Sequence, residues 1–483
     1  MTGMARRVAV GAGWLYAYRW LERALDFAAI VILARILSPD DFGLVAIAAS
    51  IVAIVEGLAA FDVGKALIRR PEEGRQLYDS AWTLAALRGL VSALCMVAIS
   101  PLPTDPRISA VILALALSPL LAGLSNPRFV LFERELVYSK LAVLTLGAKL
   151  VSVGVTLGLA LLYRSYWALV VGMIAGTAMS LILSYALRPY RPRLSLARFR
   201  HIFGFSGWLS LTSIVTTLSM ETDKLIVGRW LGVADAGRYY MTQRVGVLPT
   251  RELVSPLQRI LFPSFSELIG DRPRLRRAVR ESINVLASLS LPAGCGFALV
   301  ADDFVPLVLG EQWTAIVPLL QVLVPYLGLR ATLSMALPCV MALGRVRLLF
   351  WVSFGYALVH VPAFIAGTVL FGLEGAIWSI VLAGALYSYL NAWLLRRALG
   401  ITSGEILLQL RRPLVASAMM VAAVLTAGAL GPAGPDPAAG SWISLAIEVG
   451  AGAGVFSGAV FALWRLEGRP PGIERRLFQL FSR

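Results

Sequence analysis

The sequence predicts an all-α polytopic membrane protein with about fourteen transmembrane helices. Three observations carry that expectation: an apolar composition, apolar runs of spanning length along the whole chain, and positive charge confined to alternate connections. Of the 483 residues, 58% are hydrophobic and only 15% charged, with mean hydropathy +0.76. A soluble domain carries roughly a quarter charged residues, so the excess apolar surface must face lipid. Spans are expected at 11–36, 41–63, 80–100, 108–126, 141–162, 166–187, 204–227, 236–265, 282–300, 314–336, 348–370, 373–395, 413–431 and 441–464. The first apolar stretch runs into a full-length helix without a small-residue cleavage site, so no cleavable signal peptide is expected. Cys95, Cys295 and Cys339 lie in or beside spans without metal-ligand spacing and read as small buried hydrophobes.

The net charge of +16 is explained by where it falls. With the N-terminus counted as cytoplasmic, the cytoplasmic connections hold Arg6, Arg7, Lys65, Arg69, Arg70, Arg75, Arg128, Arg134 and Lys140. They also hold the runs Arg188 to Arg200 and Arg272 to Arg280, then Arg345, Arg347, Arg396, Arg397, Arg411, Arg412 and a basic tail. The opposite side keeps little beyond Arg107 and Arg164, with Arg35 and Arg229 at helix ends. This is a positive-inside pattern, which places both termini in the cytoplasm and makes the helix count even. The charge is topological and gives no reason to expect nucleic acid.

The chain also repeats itself. At an offset of 207 − 13 = 194 residues, Gly13-Trp14-Leu15 meets Gly207-Trp208-Leu209. Ile32, Arg35, Leu37, Asp41 and Gly43 then meet Ile226, Arg229, Leu231, Asp235 and Gly237. Six expected helices separate the copies, so both enter the membrane in one direction. Such parallel repeats, related by an axis along the membrane normal, are a transporter architecture. The expected organisation is a lobe over 1–200, a second lobe over 201–400, and helices 13–14 with a cytoplasmic tail over 401–483. The two six-helix repeats would enclose a central cavity.

The run Ile32-Leu33-Ala34-Arg35-Ile36-Leu37-Ser38-Pro39-Asp40-Asp41-Phe42-Gly43-Leu44-Val45 resembles the opening signature of Wzx-like polysaccharide flippases. These form the polysaccharide branch of the multidrug/oligosaccharidyl-lipid/polysaccharide exporter superfamily. Asp235-Ala236-Gly237 through Arg244, Leu248-Pro249 and Arg259-Ile260-Leu261-Phe262-Pro263 is similar to the same family, as is Asp303-Phe304-Val305-Pro306 leading to Leu309-Gly310 and Trp313. The resemblance spans roughly residues 10–400. It implies two lobes alternating between inward and outward openings around an undecaprenyl-pyrophosphate oligosaccharide, in a bacterial inner membrane. The implied partners are that lipid-linked oligosaccharide and membrane lipids, with the polymerase and chain-length proteins of the pathway as candidate protein partners.

Charges inside spans are the candidate site, because each costs about 2.5–3.5 kcal/mol or more at mid-bilayer. In the first span Arg19, Glu22, Arg23 and Asp26 share about 100° of helical arc. They read either as a polar cavity wall or as an ion-paired seam between helices. In the eighth span Arg244, Arg251 and Arg259 recur at seven- to eight-residue spacing beside Pro249, Pro256 and Pro263, which should bend or break the helix. A guanidinium fork suits a pyrophosphate; arginines near a span end also snorkel. Substrate-binding candidates are therefore Arg244, Arg251, Arg19, Arg23, Asp26 and Lys224. Coupling candidates are Glu22, Glu56, Asp223 and His360. For His360, proton coupling competes with a plain hydrogen bond to a neighbouring helix. The embedded bases, which include Arg88, Lys149 and Arg330, nearly balance the embedded acids, which include Asp62, Glu221, Glu252 and Glu448.

Enzymatic readings find no support. There is no G-x-x-x-x-G-K-[ST] stretch, H-E-x-x-H, CxxC or serine elbow. Membrane glycosyltransferases use acidic residues after their first helix, where Asp40-Asp41 stands here, but they also need large external loops. The longest external loops here, 301–313 and 432–440, are short, and Asp40 and Asp41 are expected to cap the second helix instead. The expectation is a transporter without cofactor or metal, driven by substrate or by an H+ or Na+ gradient. The rival transport readings are a lipid II flippase and a cation-coupled multidrug exporter.

Overall fold

The computed structural model describes residues 3–58, 74–135, 137–197, 207–430 and 437–467, and every regular element among them is helical. The chain forms two compact units, residues 1–237 and 238–483.

The first unit begins with α1 (Gly3–Ile36) and α2 (Pro39–Leu58), followed by α3 (Gly74–Ile99). The expected fourth span is broken at Ala116 into α4 (Pro106–Leu115) and α5 (Leu117–Gly123). Then come α6 (Tyr138–Tyr163), α7 (Trp167–Leu187) and α8 (Gly207–Trp230). The turn between α1 and α2 shows why that signature has its residues. Ser38 and Asp41 cap α2 reciprocally: the Asp41 carboxylate accepts from the Ser38 amide at 2.9 Å and from its hydroxyl at 2.7 Å, while the Asp41 amide donates to Ser38 Oγ at 3.2 Å. Asp40 instead accepts from Arg107 Nη1 at 2.8 Å. Arg107 in turn holds Asp105, the residue that caps α4. Asp41 thus caps α2 as expected, whereas Asp40 ties the start of α2 to Arg107 at the start of α4.

The internal repeat is visible in space. A side chain at Gly43 would meet the Val233 carbonyl oxygen at 1.9 Å, and one at Gly237 would meet the Pro39 carbonyl oxygen at 1.8 Å. Because 39 + 194 = 233 and 43 + 194 = 237, the two approaches are the same contact seen from either copy. The contact is reciprocal between the two copies of the signature, both within the first unit. Only glycine allows the backbones so close, as at small-residue crossings of membrane helices.

The second unit takes up α9 (Val233–Gly246) from Arg238 onward and α10 (Leu248–Glu267), then α11 (Arg272–Leu299), α12 (Val317–Thr332) and α13 (Ala336–Ala342). It ends with α14 (Val346–Leu399), α15 (Ser403–Leu430) and α16 (Pro437–Leu466). α14 is two helices joined at Gly372, whose φ of 63° and ψ of −143° favour glycine and break the ladder between the eleventh and twelfth expected spans. Thr402 and Glu405 form a second capping box, with the Thr402 amide 2.9 Å from Glu405 Oε2. The same carboxylate takes Arg276 at 2.7 Å and Arg280 at 2.9 Å from α11. Ser290 of α11 donates to the Gly328 carbonyl of α12 at 2.8 Å.

Among the described residues, ten helical stretches are long and apolar enough to cross a membrane, against the fourteen spans expected. The difference has physical causes. Arg347–Leu399 is one continuous stretch although Gly372 divides it, and α1, α8 and α9–α10 carry more charge within their apolar stretches than those ten.

Candidate functional site

In unit 1 two of the embedded acids, Asp26 and Glu56, have a cation of another helix beside them. Asp26 of α1 pairs with Lys149 Nζ of α6. Glu56 of α2 lies within electrostatic reach of Arg88 of α3. Lys224 and Glu221, one turn apart on α8, form a 2.6 Å pair. α8 is held along α2, with Thr217 against Gly57 and Ile47 against Gly228. Asp223 is 5% exposed. Glu22 and Arg23 are half-buried on α1. Arg19 stacks over the Tyr18 ring at 5.9 Å, and its buried Nε has no hydrogen-bond partner among the described residues.

On the first-span face, Asp26 meets its partner on α6 within the same unit. Lys149 occupies the Asp26 carboxylate, an ion pair between two helices. Arg88, Lys149 and Glu221 complete this set. Their signal in the sequence was their mid-span position; nothing in one sequence pairs Asp26 with a lysine 123 residues later (149 − 26).

Unit 2 holds the eighth-span arginines. The helix is interrupted at Val247, just before Leu248-Pro249, so Arg244 lies in the last turn of α9 and Arg251 in the first turn of α10. Val247 keeps helical angles (φ −76°, ψ −24°), and its amide still reaches the Gln243 carbonyl at 3.2 Å. The break is thus slight, and Pro256 and Pro263 sit inside α10. Arg244 is exposed, and so is Arg251, whose Nε lies 3.5 Å from Glu252. The side chain of Arg259, and Asp62 altogether, lie outside the described residues. His360 is 3% exposed in α14, stacked on Tyr356 at 5.1 Å with ring planes 14° apart and beside Phe364 at 5.6 Å. Tyr356 leads on to Tyr387, over which Arg330 lies at 5.4 Å. Among the described residues no group of three or more His, Cys, Asp or Glu is placed to hold a metal ion.

A chain with these features has relatives. A family profile described as "Polysaccharide biosynthesis protein" matches residues 32–318, that is 318 − 32 + 1 = 287 of 483 residues, well over half. The lipopolysaccharide biosynthesis protein WzxC of Escherichia coli (strain K12) is 26% identical over 412 residues, 83% of this chain and 84% of that one. The succinoglycan biosynthesis transport protein ExoT of Rhizobium meliloti (strain 1021) is 27% identical over 434 residues, 87% of this chain and 86% of that one. Among solved structures, the lipid II flippase MurJ in an inward closed conformation shares the fold with a TM-score of 0.75 at 14% identity, over 93% of this chain and 98% of that one. The helical, multi-pass, internally repeated chain described here belongs to the polysaccharide biosynthesis protein family, among its Wzx-like flippases.

Proposed function

We propose that this protein flips an undecaprenyl-pyrophosphate-linked oligosaccharide across the bacterial inner membrane for polysaccharide export, by alternating access of its two repeated lobes. The observation that carries the reading is the set of charged side chains on α1, α2, α3, α6 and α8, in a member of a polysaccharide-export family. Charges cost too much in hydrocarbon to persist on helices that only anchor a chain. A polar interior is what a sugar-phosphate cargo needs while it crosses.

Arg244 and Arg251, flanking the Pro249 break, are suited to hold the pyrophosphate. Both are exposed in the isolated chain, and a guanidinium presents two parallel donors to phosphate oxygens at any physiological pH. Arg19, Arg23, Asp26 and Lys224 of the first unit are the further substrate-binding candidates. Glu22, Glu56, Asp223 and His360 are the groups through which an H+ or Na+ gradient would couple. The protein acts as a transporter without a catalytic step, with both termini cytoplasmic and lobes over 1–200 and 201–400. The runner-up is a lipid II flippase, which shares the lipid pyrophosphate. The MurJ likeness favours it only at the level of fold, whereas WzxC and ExoT match by sequence over more than four fifths of the chain. A cation exporter is disfavoured because the carboxylates of Asp26 and Glu221 are taken by lysines.

The test is reconstitution. Purified protein in sealed vesicles containing a fluorescent undecaprenyl-pyrophosphate oligosaccharide should move it between leaflets without ATP, and more slowly once ion gradients are collapsed. Transport of lipid II alone, with the oligosaccharide carrier left in place, would transfer the protein to the runner-up class.

A further inference from the structure

We propose that the arginine-rich end of unit 1 holds the phosphate of an anionic phospholipid headgroup against Arg128, a site separate from the cargo path described above. Arg128 sits in a short turn, Pro127–Val130, between α5 and α6. Its backbone is fixed by Asn126, which is fully buried. Asn126 Oδ1 accepts from the Arg128 amide at 2.9 Å, and its Nδ2 donates to the carbonyls of Ser184 (3.1 Å) and Arg188 (2.6 Å) at the end of α7. The Arg128 guanidinium lies 5.3 Å from the Tyr78 ring centre and 4.9 Å from that of Tyr190. Its Nε is buried and makes no hydrogen bond, and no carboxylate lies within ion-pair distance among the described residues.

Among the described residues the acid beside these tyrosines, Asp79, is already occupied. Asp79, 5% exposed, accepts from the Tyr190 hydroxyl and from the Arg193 amide at 3.3 Å, and forms an ion pair with Arg75 at 3.7 Å. Burial and the adjacent Asp79 carboxylate push the Tyr190 phenol well above its ordinary range, so it keeps the proton it gives to Asp79. Asp79 is thus taken by Tyr190, Arg75 and the Arg193 backbone, while Arg128 lies over the Tyr78 and Tyr190 rings. A positioned, aromatic-flanked guanidinium whose buried Nε has no partner among the described residues asks for an anion.

The surroundings say which anion. Residues 188–197 run as an extended strap along the start of α3: Arg75 donates to the Arg191 carbonyl at 2.9 Å, and the Ser195 amide donates to Thr83 Oγ1 at 3.0 Å. The strap leaves Leu194 81% and Leu196 56% exposed beside the arginines. Basic groups at a helix end with apolar side chains alongside match a phospholipid, with phosphate at the headgroup level and acyl chains against leucine. Basic pockets between transmembrane helices are known headgroup sites. A free phosphate would use only the charge.

The test is lipid binding by native mass spectrometry on the purified full chain, titrated with phosphatidylglycerol, with phosphatidylcholine, and with inorganic pyrophosphate. Phosphatidylglycerol should bind at least tenfold more tightly than phosphatidylcholine. R128A should abolish that preference, and R128K should retain part of it, since charge survives and the fork does not. R191A/R193A, which alters only exposed side chains, should weaken binding about fivefold per arginine and guards against misfolding of R128A. R277A, the loss of an exposed arginine in unit 2, should change nothing. Equal losses in R277A and R128A would reduce the effect to diffuse charge and overturn the site. So would pyrophosphate binding that depends on Arg128 as strongly as lipid binding does. Oligosaccharide flipping is not read in this experiment, so its failure leaves the proposed transport standing, and the reverse holds too.

Discussion

Substituting Gly43 by alanine puts a methyl group where the structure has none to spare. The added carbon would lie 1.9 Å from the Val233 oxygen, 2.8 Å from its carbonyl carbon and 3.0 Å from the Gly237 nitrogen. Ordinary contact begins near 3.4 Å, so the start of α9 must retreat from α2 by 3.4 − 1.9 = 1.5 Å. All three neighbours are backbone, so no side chain can rotate away. Overpacking costs about 1–3 kcal/mol in well-packed interiors, and rigid neighbours put this site at the upper end. Alanine is better than glycine in a helix by about 1 kcal/mol, leaving a net loss of roughly 2 kcal/mol. Tryptophan-monitored thermal unfolding in detergent should show G43A melting several degrees lower. G237A should match it, because its methyl would meet the Pro39 oxygen at 1.8 Å. The double variant should lose less than the sum, since one separation relieves both clashes. G13A is the control: nothing lies within 4 Å of its new methyl, so it should melt at or above the wild type. A G43A protein as stable as G13A would refute the reciprocal close approach and, with it, the spatial argument for the repeat.

Other outcomes follow from named contacts. R244A and R251A should each abolish surface polysaccharide in a strain lacking the native gene, at normal membrane protein level, with lysine restoring part; wild-type export from both would remove them from the cargo path. D26N should lower membrane yield by stranding Lys149, and D26N/K149M should recover more of it than either single change. Reporter fusions at Arg193, Arg276 and the C-terminus should read cytoplasmic and one at Asp105 periplasmic; a periplasmic C-terminus would end the even-helix topology. Hydrogen bonding from Arg107 holds the Asp105 carboxyl below its ordinary 3.8. A lowered folded value stabilises above the unfolded one and is lost as pH falls, so the melting difference between wild type and D105N should hold above pH ~5 and shrink below pH ~4.

What the sequence could and could not tell follows from the range of the forces involved. Apolar runs and caps are local, so Ser38-x-x-Asp41, Thr402-x-x-Glu405 and the break at Gly372 can be read from neighbouring residues. The repeat was legible from identities alone, but why Gly43 and Gly237 are glycines was not. That reason lies in Val233 and Pro39, each on the other copy. Embedded charges announce themselves by cost without naming their partners: Asp26 and Lys149 are distant in sequence, and their pairing is decided by how α1 meets α6. The Arg128 site was hidden for a further reason. In sequence Arg128 is one more basic residue in a connection, counted toward topology with the rest. What distinguishes it is an asparagine two residues earlier, tyrosines 50 residues before (128 − 78) and 62 after (190 − 128), and an aspartate already satisfied by others. Charge bias toward one side of a membrane is a sum over many residues, indifferent to which arginine supplies it. A binding site is the opposite case, where one guanidinium is held in place and left without an acceptor. Only the fold separates the two uses of the same residue type.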